Sequence, residues 1–324
     1  MTLAVLGKLA AIMATIALGW LAMRLGWLGR ATHEAPGNDP ARVLSQVVFV
    51  LFVPALLFRT MVRQDLSALP MHTLAAYFVP ATVFTLAVYA WQRWRPQIHA
   101  AVPATRCVAA VYGNAVQLGI PLAAVLFGEA GLALHIALVS VHGLVLLTLL
   151  TVLVESDLAR SSPGATRTAT IKNTLRNAFI HPVVLPVLLG LLYNVSGLGL
   201  HPVVDQTLQG LAGAAVPLCL VLIGVSLASY GLAGNFRAAL SVSLLKLLAL
   251  PALVLVVAHW GFGLVGMPLG VLVMMAAMPV GSNALIFAQR YGVLQAEATL
   301  AILVSTLLFV ASGALWLAVL PCLG

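Results

Sequence analysis

The sequence predicts an all-α polytopic membrane protein, with ten transmembrane helices in two inverted halves of five and the fourth helix of each half broken. Three observations carry that prediction. The first is composition: of 324 residues, 62% are hydrophobic and 7% charged, against about a quarter charged in an ordinary soluble domain. The mean hydropathy is +1.09. Such a chain cannot cover a water-facing surface, which excludes a soluble globular protein, a disordered chain and a nucleic-acid binder, despite a pI near 9.9. The second is the count of apolar runs long enough to cross a bilayer. The third is a cluster of helix breakers at matching places in the two halves.

A membrane helix needs about 20 mostly apolar residues. The runs fall at 3–23, 43–62, 72–92, 104–127, 131–154, 177–196, 207–228, 236–258, 264–289 and 296–320. The first run contains Lys8 and no small-x-small cleavage site follows it, so it reads as a retained span rather than a signal peptide. The runs are too long, and alternate too little, for strands of a membrane barrel. Polar links are short, apart from 30–42 and the stretch after span five, and the latter divides the chain into 1–154, a loop at 155–176, and 177–324. Cys107, Cys219 and Cys322 stand far apart without metal-ligand spacing and read as packing residues; neither metal nor cofactor is expected.

Orientation follows from the basic residues. Arg24, Arg30, Arg42, Arg93, Arg95, Arg106, Arg160, Arg167, Lys172, Arg176, Arg237 and Arg290 fall on one side; Lys8, Arg59 and Arg63 fall on the other. Lys and Arg collect in cytoplasmic loops, so the 155–176 loop is expected in the cytoplasm and both termini outside. The net charge of +8 is thus a topology signal, with a generic attraction to anionic membrane lipids. Five spans per half also turn the second half upside down relative to the first, a recurring plan of secondary transporters.

The breaks have a physical reading. Pro54 in span two and Pro217 in span seven are 163 residues apart, and the same offset carries Pro121 in span four to Ala284 in span nine, just after Pro279, Gly281, Ser282 and Asn283. Proline removes a backbone donor and clashes with the carbonyl one turn back; in lipid the freed groups must find partners or line a cavity. Span four is expected to unwind across Gly119, Ile120 and Pro121. Span nine is expected to unwind across Gly281 to Ala284, with Ser282 or Asn283 capping a second half-helix.

These residues resemble the auxin efflux carrier family of bacterial and plant transporters. The resemblance covers nearly the whole chain. It is carried by FVPALLF (52–58), NAVQLGIPLAAVLFG (114–128), HPVVLPVLLG (181–190), AAVPLCLVLIGVSL (214–227) and AMPVGSNALIFAQRYGV (277–293). It implies two inverted five-helix repeats and a scaffold of helices 1, 2, 6 and 7, usually dimeric. It further implies a transport domain of helices 3–5 and 8–10, in which helices four and nine cross, bind substrate at the crossing and move like an elevator. Asn114 matches the motif asparagine that lies close to substrate in the family. The chain lacks the long central loop of plant members, has Ala284 where they have a second proline, and has no acidic residue in span three. A bacterial permease of malonate or another small acid, in the cytoplasmic membrane, is the nearer likeness.

Asn114 and Gln117 share one side of a helix and could bind a carboxylate through amide donors or bond between helices. Ser282 and Asn283 could bind substrate or simply cap. Lys246 is the only charge deep in a span; at a cost of roughly 2.5–3.5 kcal/mol on insertion scales, it must face the bundle interior, as an anion contact or as a donor to carbonyls freed near Pro251. Gly119 and Pro121 complete the expected site, with Ile120, Gly281 and Ala284 as crossover backbone. His135 and His142 share a face of span five and His181 opens span six, as proton shuttles or interhelical hydrogen-bonders. Trp91, Trp94 and Trp316 read as interfacial anchors. Asp157 and Asp205 are placed in loops, and no deep acid is present to pair with a cation, so a small organic anion is the expected substrate. The chain has no HExxH and no GxSxG. A membrane-embedded enzyme, a passive channel and a sensor are the alternatives.

Overall fold

The computed structural model describes residues 3–29, 40–63, 70–96, 99–161, 168, 172, 176, 180, 184–230 and 235–323; for 3–9, 12, 49, 117, 121, 216, 230 and 322–323 it describes the backbone alone. Arg30, Arg167, His181 and the side chains of Lys8, Gln117 and Pro121 therefore lie outside the described residues. The regular elements of the described residues are all helices. The helices are α1 (Leu3–Arg24), α2 (Pro40–Val62), α3 (Met71–Arg93), α4 (Val102–Val111), α5 (120–127), α6 (129–160), α7 (Val184–Val195), α8 (Pro202–Tyr230), α9 (Phe236–Gly261), α10 (Gly266–Ala277), α11 (Asn283–Arg290) and α12 (Gln295–Val319). The turn between α5 and α6 is made at Gly128, whose φ of 66° places it in the region only glycine adopts at no steric cost.

Six helical stretches are long and apolar enough to cross a membrane: α2, α3, the Leu122–Arg160 stretch, α8, α9 and α12. Shorter apolar helices cover Met13–Arg24, α4, α7 and α10. Side chains such as Val50, Leu192 and Leu307 stand more than 60% exposed, a surface that suits lipid and not water. The protein is a polytopic membrane protein.

The helices pack in two groups. In one, α1 lies along α8, and α2 packs on α7 and α8. The approach of α1 to α8 is so close that a Cβ on Gly224 would sit 1.9 Å from the Ile16 carbonyl oxygen, the small-residue packing that lets membrane helices touch through their backbones. Asp205 at the start of α8 accepts from Arg59 and Arg63 of α2, each at 2.9 Å. Asn194 of α7 caps the end of α2 by donating to the Met61 and Val62 carbonyls at 2.9 and 2.8 Å. In the other group α9 packs on α10 and α12, α3 on α4 and α9, and α4 on α6 and α11. There Arg106 of α4 grips Glu297 of α12 with two bonds, 2.7 and 2.9 Å, and also meets Gln92 of α3 at 3.0 Å.

Three expectations change. Asp157 does not lie in a loop: α6 runs on to Arg160, and Asp157 is 5% exposed, held by Tyr89 at 2.8 Å and Arg93 at 3.0 Å. Asp205 likewise opens a helix. Trp316 is no interfacial anchor; it is 7% exposed and its Nε1 donates to the Leu247 carbonyl at 2.8 Å. That carbonyl stands four residues before Pro251, whose missing N–H would otherwise meet it. Trp91 and Trp94 are exposed as expected, at 40% and 86%.

Trp316→Phe keeps most of the ring's bulk but orphans the Leu247 carbonyl. It is expected to cost about 1–3 kcal/mol, seen as a lower melting temperature in detergent. An unchanged melting temperature would show that the bond carries no stability.

Candidate functional site

Two helices break inside the second group, and the breaks meet. α4 ends at Val111; Tyr112 turns to ψ 109° and Asn114 to ψ 60° before the chain re-enters a helix. α10 ends at Ala277, and Met278 turns to ψ 140°. The two extended pieces pair antiparallel at Gly113 and Val280. Asn114 N–H donates to the Pro279 carbonyl at 2.7 Å, and Gly281 N–H donates to the Tyr112 carbonyl at 3.0 Å. The Val280 N–H goes to Ser305 Oγ of α12 at 2.9 Å. The groups released by each break are thus satisfied largely by the other break, as a low-dielectric interior requires.

The breaks fall a few residues before the expected positions. Gly119 and Ile120 are helical, so span four does not unwind at 119–121. Residues Ala115–Gly119 form a π turn instead, and Pro121 sits in the first turn of α5. A π turn is wider than an α turn, and this one ends just before the helix in whose first turn the proline's missing N–H leaves no partner unmet. In span nine, Gly281 lies in the break, but Ala284 is already inside α11 and fully buried. Ser282 takes the N-cap position without a side-chain bond to the backbone, so the expected capping by Ser282 or Asn283 is absent. The Ala284 and Leu285 N–H groups instead turn back to the Gly281 and Ser282 carbonyls, both at 3.1 Å.

The crossing forms the floor of a cavity of 110 Å³. That is room for several waters, each needing about 10–15 Å³ of such space, or for one small molecule. Its polar lining includes Asn114, Ser282, Asn283, Ser140 and His142, with Tyr112 beside them and Thr60 of α2 on the far wall. Its opposite wall comes from the other helix group: Val53 and Leu57 of α2, Val187 of α7, Ala215 and Cys219 of α8. Neither the Asn114 nor the Asn283 side-chain amide has a hydrogen-bond partner among the described residues. Ser282 and Cys219 line the cavity from its two sides.

Of the expected site residues, the fold brings Asn114, Gly281, Ser282 and Asn283 together at this cavity. Gly119, Ile120, Ala284 and Lys246 lie beside the crossing but do not line it. Lys246 is fully buried in a π turn of α9, and its Nζ donates to the Ala276 carbonyl. Ala276 is in the last turn of α10, where the break leaves carbonyls free. The lysine therefore serves the carbonyls of the break rather than those near Pro251, at the negative end of a helix dipole. His135 bonds to the Ala115 carbonyl at 2.8 Å, under the π turn. His142 stacks on Tyr112 with ring centroids 4.3 Å apart and lies 3.5 Å from the Tyr77 hydroxyl. Tyr112 was missed in the sequence; the signal for it is its place just before Gly113 and Asn114.

Two paired helix breaks facing a polar-floored cavity, in a chain of apolar helices long enough to cross a bilayer, define a polytopic membrane protein with a cavity between its helices. A family model described as "Membrane transport protein" matches residues 4–317, and the chain belongs to that family, the auxin efflux carriers that its motifs resemble. It is also similar to an uncharacterized transporter of Methanothermobacter thermautotrophicus, 27% identical over 311 residues that cover 95% of this chain and 96% of the relative. This is a family of transporters and not of enzymes.

A Cβ on Gly113 would lie 2.9 Å from Met278 Cβ and 3.1 Å from Lys246 Nζ. Gly113→Ala therefore forces the two breaks apart. It is expected to cost about 1–3 kcal/mol of stability and to weaken ligand binding at the cavity. Unchanged melting and binding would show that the crossing tolerates separation.

Proposed function

We propose that the protein is a secondary carrier that moves a small organic anion, such as a mono- or dicarboxylate, by an elevator-like displacement of the crossing. The observation that carries this reading is the pairing of the two breaks at the floor of a cavity whose far wall belongs to a different helix group. In this reading α1, α2, α7 and α8 are the scaffold, α3–α6 and α9–α12 the transport domain. α4 with α5, and α10 with α11, each count as one crossing of the bilayer, giving ten passes in two inverted five-helix repeats, 1–154 and 177–324. The likeness of α4–break–α5 to α10–break–α11 supports the repeat.

The anion preference rests on what faces the cavity. Two unpartnered amides offer N–H donors. α11 starts at Asn283, which lines the cavity, so its N-terminal end, equivalent to roughly half a positive charge, faces the cavity, an arrangement that suits a carboxylate. No carboxylate lines the cavity among the described residues. Lys246 adds positive potential from behind the crossing without touching the substrate. A homodimer through the scaffold follows from the family resemblance, and both termini outside with the 155–176 loop in the cytoplasm follows from the charge bias. A detergent-solubilised mass of one protomer only, or ready labelling of Ser161→Cys by an impermeant thiol reagent in intact cells, would contradict these.

The test is uptake into proteoliposomes. Labelled malonate or a related acid is expected to enter in a saturable way and to show counterflow, which a channel or sensor does not. Asn114→Ala is expected to lower apparent affinity at least tenfold, about 1.4 kcal/mol, with normal expression and melting. Entry of amines or sugars in place of acids would remove the anion assignment, and unchanged affinity in Asn114→Ala would remove that residue from the site.

A further inference from the structure

A second cleft, of 230 Å³, opens far from the crossing, where the ends of α3 and α6 meet the start of α4. It is lined by Arg93, Arg95, Pro103, Asp157, Arg160 and Ser161. Its charges are not fully used by the protein. Arg93 lies 3.0 Å from Asp157 Oδ1, which also accepts from Tyr89 at 2.8 Å. Arg93 is thus committed. Arg95 and Arg160 form no ion pair among the described residues. Arg95 instead lies over the Trp91 ring, 4.0 Å from its centroid, which fixes the guanidinium without neutralising it.

Asp157 has the complementary deficit. Its side chain is 6% exposed, yet Oδ2 is buried without a hydrogen-bond partner among the described residues. A buried carboxylate oxygen is costly when unpaired. The cleft therefore sets two guanidinium groups that form no ion pair among the described residues beside a carboxylate one of whose oxygens is closed to solvent and lacks a donor. A simple anion satisfies the arginines but is repelled by Asp157. A group carrying a phosphate and an adjacent ammonium satisfies both.

The height of the cleft names the source. Trp91 and Trp94, exposed at 40% and 86%, flank it on α3 and its end, and tryptophan collects where acyl chains give way to headgroups. Basic pockets between membrane helices at this level hold lipid headgroups. We propose that this cleft binds the headgroup of an amine-bearing phospholipid, with the phosphate on Arg95 and Arg160 and the ammonium donating to Asp157 Oδ2. Bidentate arginine–phosphate bonds and one charge-assisted N–H bond make up the recognition. The site sits on the second helix group and does not depend on the transport reading.

The test uses the full-length protein, stripped of lipid in mild detergent, with binding read by thermal unfolding and native mass spectrometry. Phosphatidylethanolamine is expected to bind at least about fivefold more tightly than phosphatidylcholine, whose trimethylated amine has no N–H to give, and than phosphatidylglycerol, which has no amine. Arg160→Ala, at an exposed position, is expected to weaken all three by about fivefold. Asp157→Asn is expected to erase the preference for ethanolamine over choline; if that variant does not fold, the wild-type comparison of the two lipids carries the same test. Equal binding of ethanolamine and choline lipids overturns the proposal. So does equal protection by soluble phosphoethanolamine or inorganic phosphate, which would make the cleft a site for a free phosphate compound.

Discussion

Inside a bilayer a broken helix releases N–H and C=O groups that have no water to meet, and each unpaired group costs on the order of several kcal/mol. The rest of this structure depends on how that demand is met. The break after α4 and the break after α10 pair with each other through Asn114, Pro279, Gly281 and Tyr112. What remains is taken by side chains from neighbouring helices: Ser305 for the Val280 N–H, Lys246 for the Ala276 carbonyl, His135 for the Ala115 carbonyl. Gly113 and Gly281 are glycines because each strand passes where a Cβ would strike the other; on Gly281 it would lie 2.8 Å from the Gly113 carbonyl oxygen. Once this knot is tied, the Asn114 and Asn283 amides that line the cavity have no hydrogen-bond partner among the described residues.

The second consequence is how the two helix groups meet. All four described ion pairs fall within one group or the other. Between them, among the described residues, Gln289 donates to Ser226 at 3.0 Å. Within the second group, clamps away from the bilayer centre hold α3, α4, α6 and α12 together, with Tyr291 donating to Glu155 at 3.0 Å beyond the end of α11. Burial and the nearby Glu155 carboxylate push the Tyr291 phenol up from its usual range, so it stays a donor at any working pH. Rigid groups meeting through a thin, mostly apolar surface are what a sliding movement needs.

Much of this was legible in the sequence because membrane helices announce themselves by length and composition, and helix breakers by residue type. Most apolar runs match the described helices within a few residues, although the helix of span five runs on to Arg160, that of span seven starts five residues earlier, and the expected start of span six lies outside the described residues; Asn114, Gly281, Ser282 and Asn283 fall together as the pattern of breakers suggests. The exact place of the first break was not legible. Proline at 121 reads locally as the point of unwinding, whereas the chain takes it into the first turn of α5, after a π turn, and opens at Gly113, where a partner strand is available to pair. That partner is 167 positions away, at Val280, and no local rule sees it. Trp316 and Asp157 were misplaced for the same reason: a tryptophan near a helix end usually meets the interface, and only the fold brings Trp316 to a carbonyl left free by Pro251.

In the proposed carrier the crossing and the helices around it move as one body against α1, α2, α7 and α8 when substrate binds. The most direct measurement is the distance between spin labels at Thr207 of α8 and Trp260 of α9, both exposed, in protein reconstituted in bilayers without reactive cysteines. Two distance populations whose balance shifts when a small carboxylate is added are the expected result. A single distance, unchanged by any ligand that the protein transports, would contradict the account.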